Sequence, residues 1–330
     1  MGKGGKKKKR ILSGMRPTGK MHLGNYVGAL ENWVRLQGEY ENFHLIADYH
    51  VLTTNPDTSE IFNNTIEMVI DWIAVGINPK VSPIFRQSKI KEHSELFLIF
   101  SMLITTARLE RNPTLKEQIR DLELETITYG HLGYPVLQAA DILIYKGEVV
   151  PVGEDQVPHI EITREIAKKF NSTYGVVFPL PEAKLTETAR LPGLDGQKMS
   201  KSVGNTILLS DDYEEVKRKM KTAFTDPQKI RLGDPGRPWL CLVYTYHKKF
   251  NKENAEDIYN GCTSGKLGCV ECKMKIAEAI NKEIAPYRDK RKELEKDKNF
   301  IIDIIVDGEK KAREVAENTM NEVRSAMKLG

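Results

Sequence analysis

Cysteine and long apolar runs are both scarce in this chain of 330 residues. Its four cysteines all fall in the C-terminal half, which argues against a secreted scaffold stabilised by many disulfides. No apolar run approaches the roughly 18 residues of a membrane-spanning helix. The N-terminus has no apolar stretch behind its basic residues, so a secretory signal is not expected. These absences predict a soluble cytoplasmic protein without membrane contact.

An excess of charge of one sign is also missing once the N-terminal tail is set aside. The net charge is +4, from 50 basic and 46 acidic residues. Residues 1–10 carry six basic side chains and no acidic one, so the rest of the chain has a net charge of −2. Such a tail could attract RNA phosphates, or it could be a solvated extension.

Strand and helix patterns alternate through the first half of the chain. Short apolar runs predict strands at Ile11–Ser13, Phe43–Ala47 and Ile84–Gln87. Apolar residues at helical spacing predict helices over Asn25–Tyr40 and Ser59–Val75. This alternation is typical of an α/β fold with a doubly wound parallel (Rossmann-type) sheet, in which ligands bind beyond the carboxyl ends of the strands.

The pattern becomes helical from about residue 206. A terminal helix is predicted to bury one apolar stripe, made of Ala312, Val315, Ala316, Met320, Val323 and Met327. We therefore predict a basic tail over residues 1–10 and a Rossmann-type catalytic domain with an inserted helical connection over residues 11–205. An α-helical C-terminal domain is predicted over residues 206–330.

The turn between the first strand and the first helix is the first nucleotide motif, Pro17–Asn25, with the sequence Pro-Thr-Gly-Lys-Met-His-Leu-Gly-Asn. Glycine allows a nucleotide to approach the backbone, and the start of a helix offers N–H groups to phosphate. His22 and Asn25 could donate hydrogen bonds to phosphate oxygens. Taken alone, such a turn is equally consistent with a tight connection between a strand and a helix.

A second motif, the lysine loop Lys198–Ser202, follows a turn-rich segment that begins at Leu191. Two lysines three residues apart, with small hydroxyl residues beside them, suit a pyrophosphate leaving group whose charge grows during reaction. Two lysines at this spacing, found alone, would indicate only a solvated basic loop. Here the pair lies 173 residues after Asn25 on a doubly wound pattern, which favours the nucleotide interpretation.

Together the two motifs resemble the two signatures of class I aminoacyl-tRNA synthetases. The resemblance implies ATP and Mg²⁺ as cosubstrates and four catalytic residues: His22, Asn25, Lys198 and Lys201. It implies ATP contacts from Arg16, Pro17, Thr18, Gly24, Asn25, Gly153, Glu154, Asp155, Leu191, Lys198, Met199, Ser200, Lys201 and Ser202. Arg16 departs from the family pattern, because many relatives have glutamine at this position.

The segment Tyr134–Asp141 bears on the amino acid that is activated. Helical spacing places Tyr134, Gln138 and Asp141 on one face, where a carboxylate could accept an indole N–H. An ordinary capping or ion-paired acid is the alternative. The segment is similar to the tryptophanyl and tyrosyl branch of the family, and Gln138 does not separate the two.

The segment Gly153–Gln156 and the helix after it are similar to the bacterial tryptophanyl pattern. The resemblance implies that Gln156 holds the α-amino or carboxylate group and that His50 belongs to the pocket. The implied tryptophan-binding residues are Asp141, Gln156, Tyr134, Gln138 and His50. The expected activity is ATP-dependent attachment of L-tryptophan to tRNA(Trp) by a homodimer. A tyrosyl enzyme and a non-catalytic RNA-binding paralogue are the alternatives.

The four cysteines have the spacing C-x20-C-x6-C-x2-C, and they are Cys241, Cys262, Cys269 and Cys272. Four thiolates suit tetrahedral zinc or a 4Fe–4S cluster. Spacing alone favours zinc because zinc is the more frequent of the two. Resemblance to a subset of bacterial tryptophanyl enzymes implies the cluster instead, as structural support for anticodon recognition.

Overall fold

The computed structural model describes residues 8–121, 126–185 and 191–329. Most of the predicted basic tail therefore lies outside the described residues. The strands are β1 (Arg10–Met15), β2 (Glu41–Ile46), β3 (Ile84–Arg86), β4 (Val149–Val152) and β5 (Glu182–Leu185). The helices are α1 (Leu23–Asn25), α2 (Glu31–Leu36), α3 (Ile61–Ala74), α4 (Glu92–Ser101), α5 (Thr106–Glu110), α6 (Pro113–Asp121), α7 (Tyr129–Ile144), α8 (Val157–Tyr174), α9 (Tyr213–Thr222), α10 (Leu242–Phe250), α11 (Ala255–Thr263), α12 (Cys269–Leu294) and α13 (Lys298–Met327).

The five strands form one parallel sheet in the order β3-β2-β1-β4-β5. The chain adds strands outward on one side from β1 to β3, then crosses back to place β4 beside β1 on the other side. This reversal is the topological switch point at which doubly wound sheets bind their ligands. The predicted α/β fold with a Rossmann-type sheet and a helical C-terminal region is confirmed.

The predicted elements recur in the structure with small shifts at their ends. The three predicted strands correspond to β1, β2 and β3, and the predicted helix Ser59–Val75 corresponds to α3. The helix predicted over Asn25–Tyr40 is interrupted: α1 passes into a π-helical turn over Tyr26–Leu30, and α2 then ends at Leu36. The apolar spacing predicted the buried face, but it carried no signal for the wider turn.

The chain forms two compact units. The first unit comprises Met1–Gly19, Asn32–Glu187 and Asp297–Gly330, and it contains the whole sheet. The second unit comprises Lys20–Glu31 and Thr188–Lys296, and it contains helices α9 to α12. The domains predicted from the sequence assign a function to each range of residues. The two units are defined by contacts alone, so those functional domains stay a prediction. No helix among the described residues is both long and apolar enough to cross a membrane.

The last helix, α13, belongs to the first unit because its apolar stripe is part of that unit's core. Ala312, Ala316 and Met320 are fully buried together with side chains from the sheet and from α7. Gly308 allows the close approach, since a Cβ at this position would lie 2.0 Å from the carbonyl oxygen of Ile84 in β3. The stripe predicted a buried helix face, but not the surface against which it packs.

Candidate active site

Polar or glycine residues follow the carboxyl ends of four strands in the first unit. Arg16 follows β1, His50 lies four residues beyond β2, Gln87 follows β3, and Gly153 follows β4. Because parallel strands end at the same edge of a sheet, these residues gather at the edge where doubly wound folds bind ligands. The sequence predicted three of them as site residues and missed Gln87, which it assigned to the end of a strand.

The Asp141 carboxylate lies at the centre of a buried hydrogen-bond network in the first unit. Its Oδ1 accepts hydrogen bonds from Gln87 Nε2 at 2.7 Å and from His93 Nδ1 at 2.6 Å. Its Oδ2 accepts one from His50 Nε2 at 2.9 Å. Burial alone would raise the pKa of Asp141, but the hydrogen bonds from His50 and His93 outweigh it and lower the pKa to about 2. The carboxylate is therefore ionised. Its contacts are not those of a helix cap, but its pairing with His50 and His93 matches the ion-paired alternative.

Tyr134 is held by a second buried histidine, His159. Asn112 accepts a hydrogen bond from the backbone of Thr114 through its amide oxygen, so its amide nitrogen donates to His159 Nδ1 at 2.9 Å. Nε2 then carries the ring proton and donates to the Tyr134 hydroxyl oxygen. Burial lowers the pKa of His159 to about 4, so the ring is neutral near pH 7. The ring of Tyr134 also contacts that of His50, with centroids 6.3 Å apart.

The remaining predicted residues of this unit lie around the end of β4 and on α7. Gln156 is half-buried and donates to Asp155 Oδ2 at 3.1 Å. A Cβ at Gly153 would lie 2.8 Å from Asp155 Oδ1, so glycine allows this carboxylate to fold back toward the strand end. Gln138 is half-buried one turn before Asp141. Arg16 is exposed and donates to Thr54 Oγ1 at 3.3 Å.

In the second unit, His22 and Asn25 form a reciprocal cap at the start of α1. The backbone N–H of Asn25 donates to His22 Nδ1 at 3.2 Å, and the backbone N–H of His22 donates to Asn25 Oδ1 at 3.1 Å. Because Nδ1 accepts, the ring proton lies on Nε2. Burial and, after it, the Lys201 charge lower the pKa of His22 to about 4. His22 is therefore a neutral imidazole that presents an Nε2–H donor.

The lysine loop contacts the first nucleotide motif within this unit. The Gly24 N–H donates to Met199 Sδ at 3.2 Å, and a Cβ at Gly24 would lie 3.2 Å from that sulfur and 3.0 Å from the His22 ring. Lys201 donates through Nζ to the Lys20 carbonyl at 2.9 Å, whereas Lys198 is exposed. Glycine at position 24 thus provides space for this contact.

Asn205, which the sequence analysis missed, organises the lysine loop. Its Oδ1 accepts from the Ser200 N–H at 2.8 Å, and its Nδ2 donates to Asp195 Oδ1 at 2.8 Å and to the Lys198 carbonyl at 3.1 Å. A Cβ at Gly193 would lie 2.4 Å from Asn205 Nδ2. One buried amide therefore connects the segment before the loop with the loop itself. A lone asparagine carries no sequence signal for this role.

The four cysteines are free thiols rather than disulfides. Cys272 is buried, and burial, followed by the charges of the other three cysteines, raises its pKa to about 12. Across residues 8–121, 126–185 and 191–329, no group of three or more His, Cys, Asp or Glu side chains is arranged to hold a metal ion. The predicted iron–sulfur site is not confirmed.

Known proteins resemble this chain in sequence and in fold. The family model for "tRNA synthetases class I (W and Y)" matches residues 5–285. The chain is 50% identical to the tryptophan–tRNA ligase of Thermotoga maritima, over 97% of this chain and 99% of that protein. It is 45% identical to the tryptophan–tRNA ligase of Aquifex aeolicus, over 97% of this chain and 100% of that protein. The crystal structure of tryptophanyl-tRNA synthetase from Campylobacter jejuni, complexed with ADP and tryptophan, superposes with a TM-score of 0.86 at 33% identity, covering 97% of this chain and 100% of that one.

Proposed function

The chain belongs to the class I tRNA synthetases of the W and Y family, and on this premise we propose which of its residues perform each part of the reaction. The function is that of a tryptophan–tRNA ligase, which joins L-tryptophan to tRNA(Trp). Similarity to such ligases over nearly the whole chain carries this conclusion. ATP, with its Mg²⁺, is the cosubstrate.

The reaction has two steps. The tryptophan carboxylate attacks the α-phosphorus of ATP, which gives tryptophanyl-adenylate and releases pyrophosphate. The terminal ribose hydroxyl of the tRNA then attacks the carbonyl carbon of the adenylate and releases AMP. No protein side chain needs to act as a nucleophile, so the work of the protein is positioning and electrostatic stabilisation.

His22 and the lysine loop would stabilise charge on the phosphates. The neutral His22 ring offers Nε2–H, and the amide nitrogen of Asn25 is available because its oxygen accepts from the backbone of His22. Lys198 is an exposed cation that can follow the leaving pyrophosphate, while Lys201 is tethered to the Lys20 carbonyl. Removing one such donor typically lowers kcat by about 10²–10³.

Asp141, Tyr134 and Gln156 would hold the amino acid. An ionised carboxylate accepts the indole N–H, which is a donor only. The ring of Tyr134 supplies an aromatic wall, and Gln156 supplies an amide for the α-amino or carboxylate group. Arg16, together with Gly153–Asp155 at the switch point of the sheet, would contact ATP.

Amino-acid-dependent exchange of pyrophosphate into ATP tests this function. Tryptophan should support exchange at concentrations at which tyrosine supports none. Exchange with tyrosine instead would assign the tyrosyl activity. A protein that binds RNA but forms no adenylate with either amino acid would be a non-catalytic paralogue, and the activity proposed here would be wrong.

We propose further that the four cysteines hold a 4Fe–4S cluster rather than one zinc ion. Resemblance to a subset of bacterial tryptophanyl enzymes that carry a closely similar cysteine set supports the cluster over zinc. Close backbone packing supports a built site, because a Cβ at Gly236 would lie 2.5 Å from Cys262 Sγ. The cluster would support the helical region that reads the anticodon.

Metal analysis of protein purified without oxygen tests the cluster. Four irons with equivalent sulfide and a broad visible absorption that bleaches on reduction are expected. The Cys272→Ser variant should lose the absorption, while Ser264→Ala, in the turn between Cys262 and Cys269, should keep it. One zinc and no iron would assign the zinc site instead. These measurements do not depend on the ligase activity.

The remaining proposals concern assembly and location. As the family resemblance implies, we propose a homodimer in the cytoplasm, with the basic tail adding attraction for the phosphates of tRNA. Sedimentation at assay concentrations should give twice the mass of one chain, and a monomer with full activity would overturn the dimer. Deleting residues 1–7, which leaves β1 and the two lysines before it in place, should weaken tRNA binding at low salt and leave pyrophosphate exchange unchanged.

A further inference from the structure

The acceptor positions on Asp141 are unequally occupied. A carboxylate has about four lone-pair directions, two on each oxygen. Gln87 and His93 donate to Oδ1 and fill both of its positions, while His50 alone donates to Oδ2. One acceptor position therefore remains, and it lies on Oδ2, beside His50.

His93 is held in turn by Tyr145. The His93 Nε2 and the Tyr145 hydroxyl lie 2.7 Å apart, and both side chains are buried. Burial raises the pKa of Tyr145 well above its ordinary value, so the hydroxyl stays protonated and donates to Nε2. The ring proton of His93 is then on Nδ1, where it faces Asp141. The ring of Tyr145 is fixed between Phe43 and Phe85, with centroids 5.1 Å away in both cases.

We propose that His93, backed by Tyr145, and Gln87 are positioning residues that occupy Oδ1 of Asp141 and leave a single acceptor on Oδ2 for the side-chain N–H of the amino acid. The proposal rests on the ligase function proposed above and assigns no substrate contact to His93 or Tyr145. With its partners intact, Asp141 cannot turn to another donor when a ligand brings none. A ligand without an N–H therefore leaves a buried acceptor unpaired. Because an unpaired buried acceptor costs free energy, the enzyme rejects such a ligand.

A purely structural role for the network makes a different prediction. If His93 only satisfied a buried carboxylate, its loss would lower stability and weaken all amino acids equally. If it positions Oδ2, its loss lets the carboxylate rotate or draw in water. Discrimination between donor and non-donor ligands would then fall more than catalysis as a whole. The ratio of kcat/KM for two amino acids separates these cases.

The experiment measures pyrophosphate exchange with tryptophan and with an analogue in which sulfur replaces the indole N–H. His93→Leu should reduce the kcat/KM ratio of the two amino acids about 10- to 100-fold, and Tyr145→Phe about tenfold, the effect of roughly one net hydrogen bond. His93→Asn, whose amide nitrogen can replace Nδ1–H, should restore most of the ratio. Tyr40→Phe is the matched control, because its hydroxyl contacts Lys184 and not the network. KM for ATP should not change.

An unchanged ratio in His93→Leu, with only a lower melting temperature, would overturn the proposal. If that variant does not fold, Tyr145→Phe decides, since it removes one buried oxygen and leaves the ring in place. If the unsubstituted enzyme shows no tryptophan-dependent exchange, the ligase function fails rather than the network. The network is then tested by the ¹⁵N resonances of His93, which must show the proton on Nδ1; a proton on Nε2 alone would refute it.

Discussion

Replacing His22 with asparagine would remove the Nε2–H donor but keep an acceptor at the position of Nδ1, because the asparagine side chain ends one bond earlier. Glutamine would do the opposite, since its amide nitrogen reaches the position of Nε2. The two substitutions therefore separate the cap on α1 from the donor that we assign to the phosphates. His22→Ala, which removes both groups, completes the set.

The structure sets the size of each effect. Asparagine is among the most favourable N-cap residues, so His22→Asn should change the free energy of unfolding by less than about 0.5 kcal/mol. Loss of the donor should lower kcat for pyrophosphate exchange about 10²–10³-fold. His22→Gln should lose about 0.5–2 kcal/mol of stability with the cap, and it should keep more activity than His22→Asn.

Exchange kinetics with saturating tryptophan, together with urea unfolding of each variant, measure both effects. Unchanged activity in His22→Asn would show that Nε2–H does not act on the phosphates. Equal losses of activity in the asparagine and glutamine variants, in proportion to their losses of stability, would show that His22 only builds the turn.

Three further perturbations follow from the described contacts. His44 is neutral in the fold because burial lowers its pKa from 6.5 to about 3. The unfolded chain takes up the proton first as pH falls below 6.5, so stability present above that pH is lost toward pH 3. By pH 5 this amounts to about 2 kcal/mol. His44→Phe should abolish this part of the loss of stability. Urea unfolding at several pH values measures it, followed by the fluorescence of Trp33, whose ring stacks on His44. An unaltered pH dependence of stability in the variant would contradict the assignment. Asn205→Ala should lower kcat at least about tenfold, as the Ser200 N–H loses its acceptor, with KM for tryptophan unchanged; a change in KM alone would place Asn205 elsewhere. Asp141→Ala should raise KM for tryptophan far more than KM for ATP, and equal rises would count against its role.

The sequence predicted the sheet and the ligand edge because both depend on local patterns. Apolar runs and turns repeat at strand and helix spacing, and polar residues follow the points where strands end. Gly153–Gln156 could be located by its resemblance to the family, and the structure shows that β4 ends just before it, at Val152. The interruption of the first helix could not, because a π turn alters hydrogen bonding without altering the apolar stripe.

Contacts between distant segments could not be predicted from the same patterns. Gln87 and His93 are separated from Asp141 by 54 and 48 positions, and only the fold brings their donors to the carboxylate. The stripe on α13 shows that the helix is buried. It does not show that Gly308 lets the helix lie against β3. Such pairings depend on the packing of several elements at once, which no single segment encodes.

The motifs identify which residues belong to the site, whereas the structure identifies which atom of each residue is available. His22 presents Nε2–H because the Asn25 backbone occupies Nδ1, and His93 presents Nδ1–H because Tyr145 occupies Nε2. His159 presents Nε2–H because Asn112 occupies Nδ1. In each case the partner binds one ring nitrogen, and the other ring nitrogen faces the site. Substituting Tyr145 or Asn112 should therefore change the chemistry of a histidine that is itself unaltered, and a search restricted to signature residues would miss both positions.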